Sequence, residues 1–180
     1  VAQVFAHLVM HVAERVGVTA PAVRQRFGSK RALLLAYAEH QVLNAAQPFS
    51  APSADETGPL NQLVEGLVAS GAQLGDKRTL TNNLALLQLD LTDPELGAHA
   101  TNHSRAVLHA IEGLIRQAIA DREVKPNVDA IALAEAVNTT YNGALVTWAI
   151  DGNGPLEKWL RKQLEFVLSP HTTRRWQRRP

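Results

Sequence analysis

Three groups of residues have the types and spacing to do chemistry. Arg24, Gln25 and Arg26 fall on one short segment, where guanidinium forks can pair with phosphate oxygens or guanine edges and an amide can reach a base or a phosphate. His99 and His103, four apart, share one helix face, the spacing that two imidazole metal ligands need, and Asp90 could supply a third ligand. Two histidines in an alanine-rich helix read more simply as pocket-lining or surface groups, so no metal and no cofactor is assigned. Asn138, Tyr141 and Asn142 are polar positions on an otherwise apolar helix that also carries Trp148. Gln88 stands likewise among Leu84, Leu87 and Leu91. A few polar groups among apolar walls are what orient a small molecule in a cavity. These residues, with His99 and His103, are therefore the expected ligand-binding set.

The elements that must hold these residues are helices. No stretch alternates β-branched with polar residues, so no strand is expected. Ser29 can cap a helix reaching about Gln47, and Pro48 to Pro59 reads as a linker. Helices are then expected from Leu60 to about Gly75 and from Leu80 to Leu91. Asp93-Pro94-Glu95 starts a long helix with an N-cap, a proline at its first position and an acid in its positive first turn. Further helices follow from Ile131 to Trp148 and from Leu156 to Val167, separated by the turn Asp151-Gly152-Asn153-Gly154-Pro155. The expected fold class is all-α.

Composition excludes several functions. Cysteine is absent from the 180 residues, which removes disulfide frameworks, thiolate metal sites and cysteine nucleophiles together. No apolar run is long enough for a membrane span, and the first residues resemble no secretory leader, so a cytoplasmic protein without a membrane partner is expected. No nucleophile elbow, phosphate-cradling loop or His-Glu-x-x-His motif recommends an enzyme. The net charge of +1 hides a partition. Residues 1–50 hold five basic and two acidic residues, 51–170 hold nine and fifteen, and 171–180 hold four arginines and no acid. Such asymmetry points towards a nucleic-acid partner.

The segment from Val12 to Val23 carries the most specific pattern. A helix ending at Gly17, a corner covered by Val18 and a second helix capped by Thr19 make a helix-turn-helix, with Ala13 small where the helices cross. The string Val12-Ala13-Glu14-Arg15-Val16-Gly17-Val18-Thr19, followed by Val23, Phe27 and Gly28-Ser29-Lys30-Arg31-Ala32-Leu33-Leu34, resembles the TetR family of bacterial transcriptional regulators. Asn142-Gly143-Ala144-Leu145 followed by Trp148 adds a weaker likeness downstream.

The resemblance implies that Thr19 caps the reading helix and touches a phosphate. It places Ala20, Pro21 and Ala22 near base edges and thymine methyls, and makes Lys30 a grip on the DNA backbone. Arg24 stands where the family usually has tyrosine and Arg26 where it often has histidine, so both are read as phosphate contacts beside Gln25. The implied organisation is a DNA-binding head over 1–47, a ligand-binding and dimerisation body over 48–170 and a basic tail over 171–180. The implied function is a homodimeric repressor, paired through its last two helices and released from a palindromic operator by a small apolar effector. A helical small-molecule- or partner-binding protein without operator recognition is the alternative.

Overall fold

The computed structural model describes residues 17, 19–50, 58–74, 76–152 and 154–173, with the side chains of Ala20 and Arg24 outside that set. The helix expected to precede Gly17 lies outside the described residues. The described chain runs α1 (Ala20–Phe27), α2 (Lys30–Leu43), a 3-10 turn (Gln47–Phe49), α3 (Pro59–Ala72), α4 (Lys77–Thr92), α5 (Pro94–Ala120), α6 (Ala130–Asp151), α7 (Leu156–Leu168) and a second 3-10 turn (Ser169–His171). An isolated bridge between Val124 and Thr172 is the nearest approach to β-structure among the described residues.

Side-chain caps set most of the helix starts. Ser29 Oγ accepts from the Ala32 amide at 3.1 Å, and Asp76 Oδ1 accepts from the Thr79 amide at 2.7 Å. Asp93 Oδ1 accepts from both Glu95 and Leu96, and Asp129 Oδ1 from both Ile131 and Ala132. Each carboxylate satisfies amides that have no intrahelical partner and sits at the positive end of its helix. The starts expected at Ser29 and Asp93 are observed, as is Pro94 at the first helical position. The helix expected to reach Gln47 stops at Leu43. There the Asn44 side-chain amide folds back to donate to the His40 carbonyl at 2.8 Å, and Pro48 has no amide N–H with which to continue the helical ladder.

Helix α5 is the spine. Its 27 residues extend about 40 Å, and α2, α3, α4 and α6 all pack on it. Leu60 and Leu63 of α3, Ile111 and Ile115 of α5, Val137 of α6 and Leu160 and Leu164 of α7 are completely or almost completely removed from water in one cluster. On α7, one of the two helices expected to pair subunits, the apolar stripe Leu156, Trp159, Leu160, Leu164 and Val167 lies in or against this core. On α6, Ala130, Ala134 and Ala144 are buried, whereas Ala132, Ala136 and Gly143 remain exposed. Val23, Leu33 and Leu34 are buried outside the main cluster and form the apolar base of the head.

The end of α5 farthest from α2 is closed by a buried acid. Glu123, 2% exposed, accepts from the Leu60 amide at 3.1 Å at the start of α3, where Gly58 precedes Pro59. A Cβ on Gly58 would come 1.8 Å from Glu123 Oε1, so glycine is what admits the carboxylate. The Glu123 carbonyl accepts from the Thr173 amide at 2.8 Å, and the Lys125 amide donates to the His171 carbonyl at 2.9 Å. Replacing Glu123 by Ala leaves a buried amide unsatisfied and should cost about 1–3 kcal/mol in urea unfolding. The same replacement should relieve most of the penalty of Gly58→Ala, giving a non-additive double-mutant cycle. Additive effects would show that the two residues do not share this site.

Candidate nucleic-acid interface and effector site

In the head, Thr19 Oγ1 accepts from the Ala22 amide at 3.3 Å and caps α1. Val23 turns inward at 4% exposure, while Pro21, Ala22, Gln25 and Arg26 face solvent. Gly17 and Gly28, before and after α1, both have φ of +67°, the left-handed conformation that glycine adopts without steric cost. The Arg26 guanidinium lies 6.0 Å from the centre of the Phe27 ring, which holds it beside the helix as a cation on an aromatic face. Lys30 opens α2 immediately after the Ser29 cap. The exposed face of α1 is thus made of the small and polar residues Pro21, Ala22, Gln25 and Arg26. The side chains of Ala20 and Arg24 fall outside the description of that surface.

Head and body are fastened by a contact that sequence reasoning missed. Arg31, in the first turn of α2, forms a bidentate ion pair with Asp93, and its Nη2 donates to Glu95 at 2.6 Å. The Arg31 hydrogen bonds, helped by the Leu96 and Glu95 amides, lower the Asp93 carboxyl to about 2. Arg31 itself is stabilised as a cation by the same two acids. The pairing spans 62 residues, and neither segment by itself signals the other.

The expected ligand-binding residues divide between two places. Leu87 and Leu91 are exposed and line a concavity of about 610 Å³ between the end of α4 and the start of α5, together with Asp90, Asp93 and Pro94. Leu84 is partly buried and Gln88 is exposed on the same helix. His99 and His103 are half-buried on α5. Burial pushes the His103 imidazole down while Asp90 pulls it back up, and burial pushes the Asp90 carboxyl up. Tyr37 of α2 is raised by burial and by the Asp90 charge, so Tyr37, Asp90 and His103 meet electrostatically where α2, α4 and α5 converge. The second place is α6. Tyr141 packs against the main core, where burial pushes its phenol up to about 12. Asn142 is exposed and donates to the Asn138 carbonyl at 2.9 Å, and Trp148 donates to the Gly154 carbonyl at 3.1 Å across the turn after α6. Of the expected ligand residues, Leu87 and Leu91 are the two that line the concavity between α4 and α5.

No protein-family model and no curated protein sequence matches the chain. Its fold does match solved structures. A TetR transcription regulator from Haloarcula marismortui superimposes with a TM-score of 0.69 at 15% identity, covering 92% of this chain and 87% of the other. The complex of SmeT with triclosan matches with a TM-score of 0.67 at 20% identity, over 92% of this chain and 81% of the other. SmeT is the repressor of the Stenotrophomonas maltophilia multidrug efflux pump SmeDEF. FadR of Bacillus subtilis, in complex with stearoyl-CoA, matches with a TM-score of 0.65 at 19% identity, over 89% of this chain and 87% of the other. The class defined is the all-α architecture of TetR family transcriptional regulators, and at these identities the likeness is one of fold.

The Arg31 clamp makes a direct prediction. Asp93 is depressed below its ordinary 3.8, so its contribution to folding is complete above that value and is lost as pH falls towards about 2. In Arg31→Gln, an NMR titration should show the Asp93 midpoint rising towards the ordinary range while staying somewhat below it, because the two amide bonds persist. An unchanged midpoint would show that the guanidinium does not set it.

Proposed function

We propose that this chain is a ligand-responsive, DNA-binding transcriptional regulator that acts as a homodimeric repressor. The observation that carries this reading is the capped helix α1, with Val23 buried beneath it and Pro21, Ala22, Gln25 and Arg26 turned outward. It stands on a fold shared with TetR family regulators, and a second copy would place two such helices on successive major-groove faces of a palindromic operator. Thr19, Lys30, Arg24 and Arg26 would contact phosphates, and Ala20, Pro21, Ala22 and Gln25 would lie nearest the bases.

Dimerisation finds support on the outer face of α6. Ala132, Ala136, Thr139, Gly143, Val146 and Ile150 follow helical spacing along one exposed face. A Cβ on Gly143 would meet no atom within 4 Å, which leaves room for a neighbouring helix to approach closely. Ile150 and, on α7, Phe166 are 73% and 75% exposed. Side chains of this kind are ordinarily covered in the assembled protein when they occur together. An effector bound in the body would loosen DNA binding only in so far as it prefers the non-binding conformation, with about 1.4 kcal/mol of preference giving tenfold. That such related folds hold triclosan or stearoyl-CoA supports an effector with a large apolar part.

Two measurements test the reading. Arg24→Ala with Lys30→Ala should weaken binding to the upstream region of the chain's own gene and reduce the salt slope by about 0.9 for each phosphate no longer neutralised. Unchanged affinity and slope would remove α1 and the start of α2 from the interface. Val146→Glu with Phe166→Glu should convert a sedimenting dimer to monomer, and a dimer unaffected by both would place the seam elsewhere.

A further inference from the structure

We propose that the groove between the end of α4 and the start of α5 binds an organic monocation with an apolar body, and that this cation competes with Arg31 for Asp93. Its apolar walls are Leu87, Leu91, Pro94 and Ala100, with Leu91 78% exposed. Asp90 and Asp93 stand at the end nearest the α4–α5 turn. Among the described residues the half-buried Asp90 carboxylate accepts no hydrogen bond and forms no ion pair. The titratable groups that feel its charge, His103 and Tyr37, are both shifted by burial towards their neutral forms. An unpaired carboxylate beside exposed leucines is complementary to a cationic head on a hydrocarbon chain. Helix α4 packs closely on α5 beside these acids: a Cβ on Gly97 would lie 2.8 Å from the Asp90 carbonyl.

Arg105 lines the opposite end, 12 positions along α5 from Asp93 and therefore about 18 Å away. It opposes a second positive charge at that end, so the groove distinguishes a single cation from a double one. Asp93 faces the groove, caps α5 and holds Arg31 of α2 at once. A cation drawn to Asp90 lowers the negative potential that holds the Arg31 guanidinium, and removal of Arg31 raises the groove's attraction for the cation. The competition deepens the effector-responsive reading above by naming the class of effector. Its test contains no DNA, so failure of operator binding and failure of this site are separate results.

The test is calorimetric titration of the full chain with decyltrimethylammonium below its micellar concentration, set against decyl sulfate and the bis-quaternary decamethonium. The monocation should bind, and the other two should bind several-fold more weakly. Asp90→Asn should weaken the monocation about three- to tenfold, as removal of one partly screened charge does. Arg31→Gln should tighten it several-fold, and in the native chain the Arg31 Nε–H resonance should move as the monocation is added. Leu91→Ala, at an exposed position that folding does not need, should weaken binding by shortening the apolar wall. Equal binding of decyl sulfate, indifference to Asp90→Asn, or an affinity unaltered by Arg31→Gln would each overturn the proposal.

Discussion

The carboxylate of Asp93 joins two requirements that the rest of the molecule depends on. It supplies the amide acceptors that let the 27-residue spine α5 begin, and it fastens α2, the helix carrying the head, to that beginning. The clamp is solvent-exposed, and exposed ion pairs contribute little to stability because water competes for both partners. Stability comes from the apolar cluster around Ile111, Ile115, Leu160 and Leu164, where each large side chain removed from water is worth about 1.5–3 kcal/mol. The clamp is therefore suited to orientation. Two carboxylates on a planar guanidinium define the direction of α2 more narrowly than an apolar contact would.

The same geometry sharpens the meaning of the charge partition. The basic head rests on the start of α5, whereas Thr173 is pinned to Glu123 just beyond its other end, about 40 Å away. The body between them is net acidic, with nine basic and fifteen acidic residues over 51–170.

Local signals in the sequence were enough for the architecture. Ser29 and Asp93 start their helices as N-caps, Thr19 caps α1, and Gly152 takes the left-handed turn after α6. Each of these depends on neighbours within a few residues. The features that escaped are long-range. Arg31 finds Asp93 and Glu95, and Glu123 finds the Leu60 amide, across 62 to 64 positions, and nothing in either segment alone specifies the partner. The apolar stripe of α7 could have faced a second subunit or the core. The choice fell to the core because α3 and α6 both lie against it. For the same reason Tyr141 is legible as a polar residue on an apolar helix, but its burial beside α3 and α7 is a property of the packed body.

The central claim is that two copies of α1 read one two-fold symmetric DNA sequence. The most direct measurement is selection of bound duplexes from a random-sequence pool by the purified full chain at physiological salt. The expected result is enrichment of an inverted repeat whose half-sites are centred about one helical turn apart, or a small multiple of it. A pool that stays unenriched, or that yields a single unrepeated half-site, would contradict it.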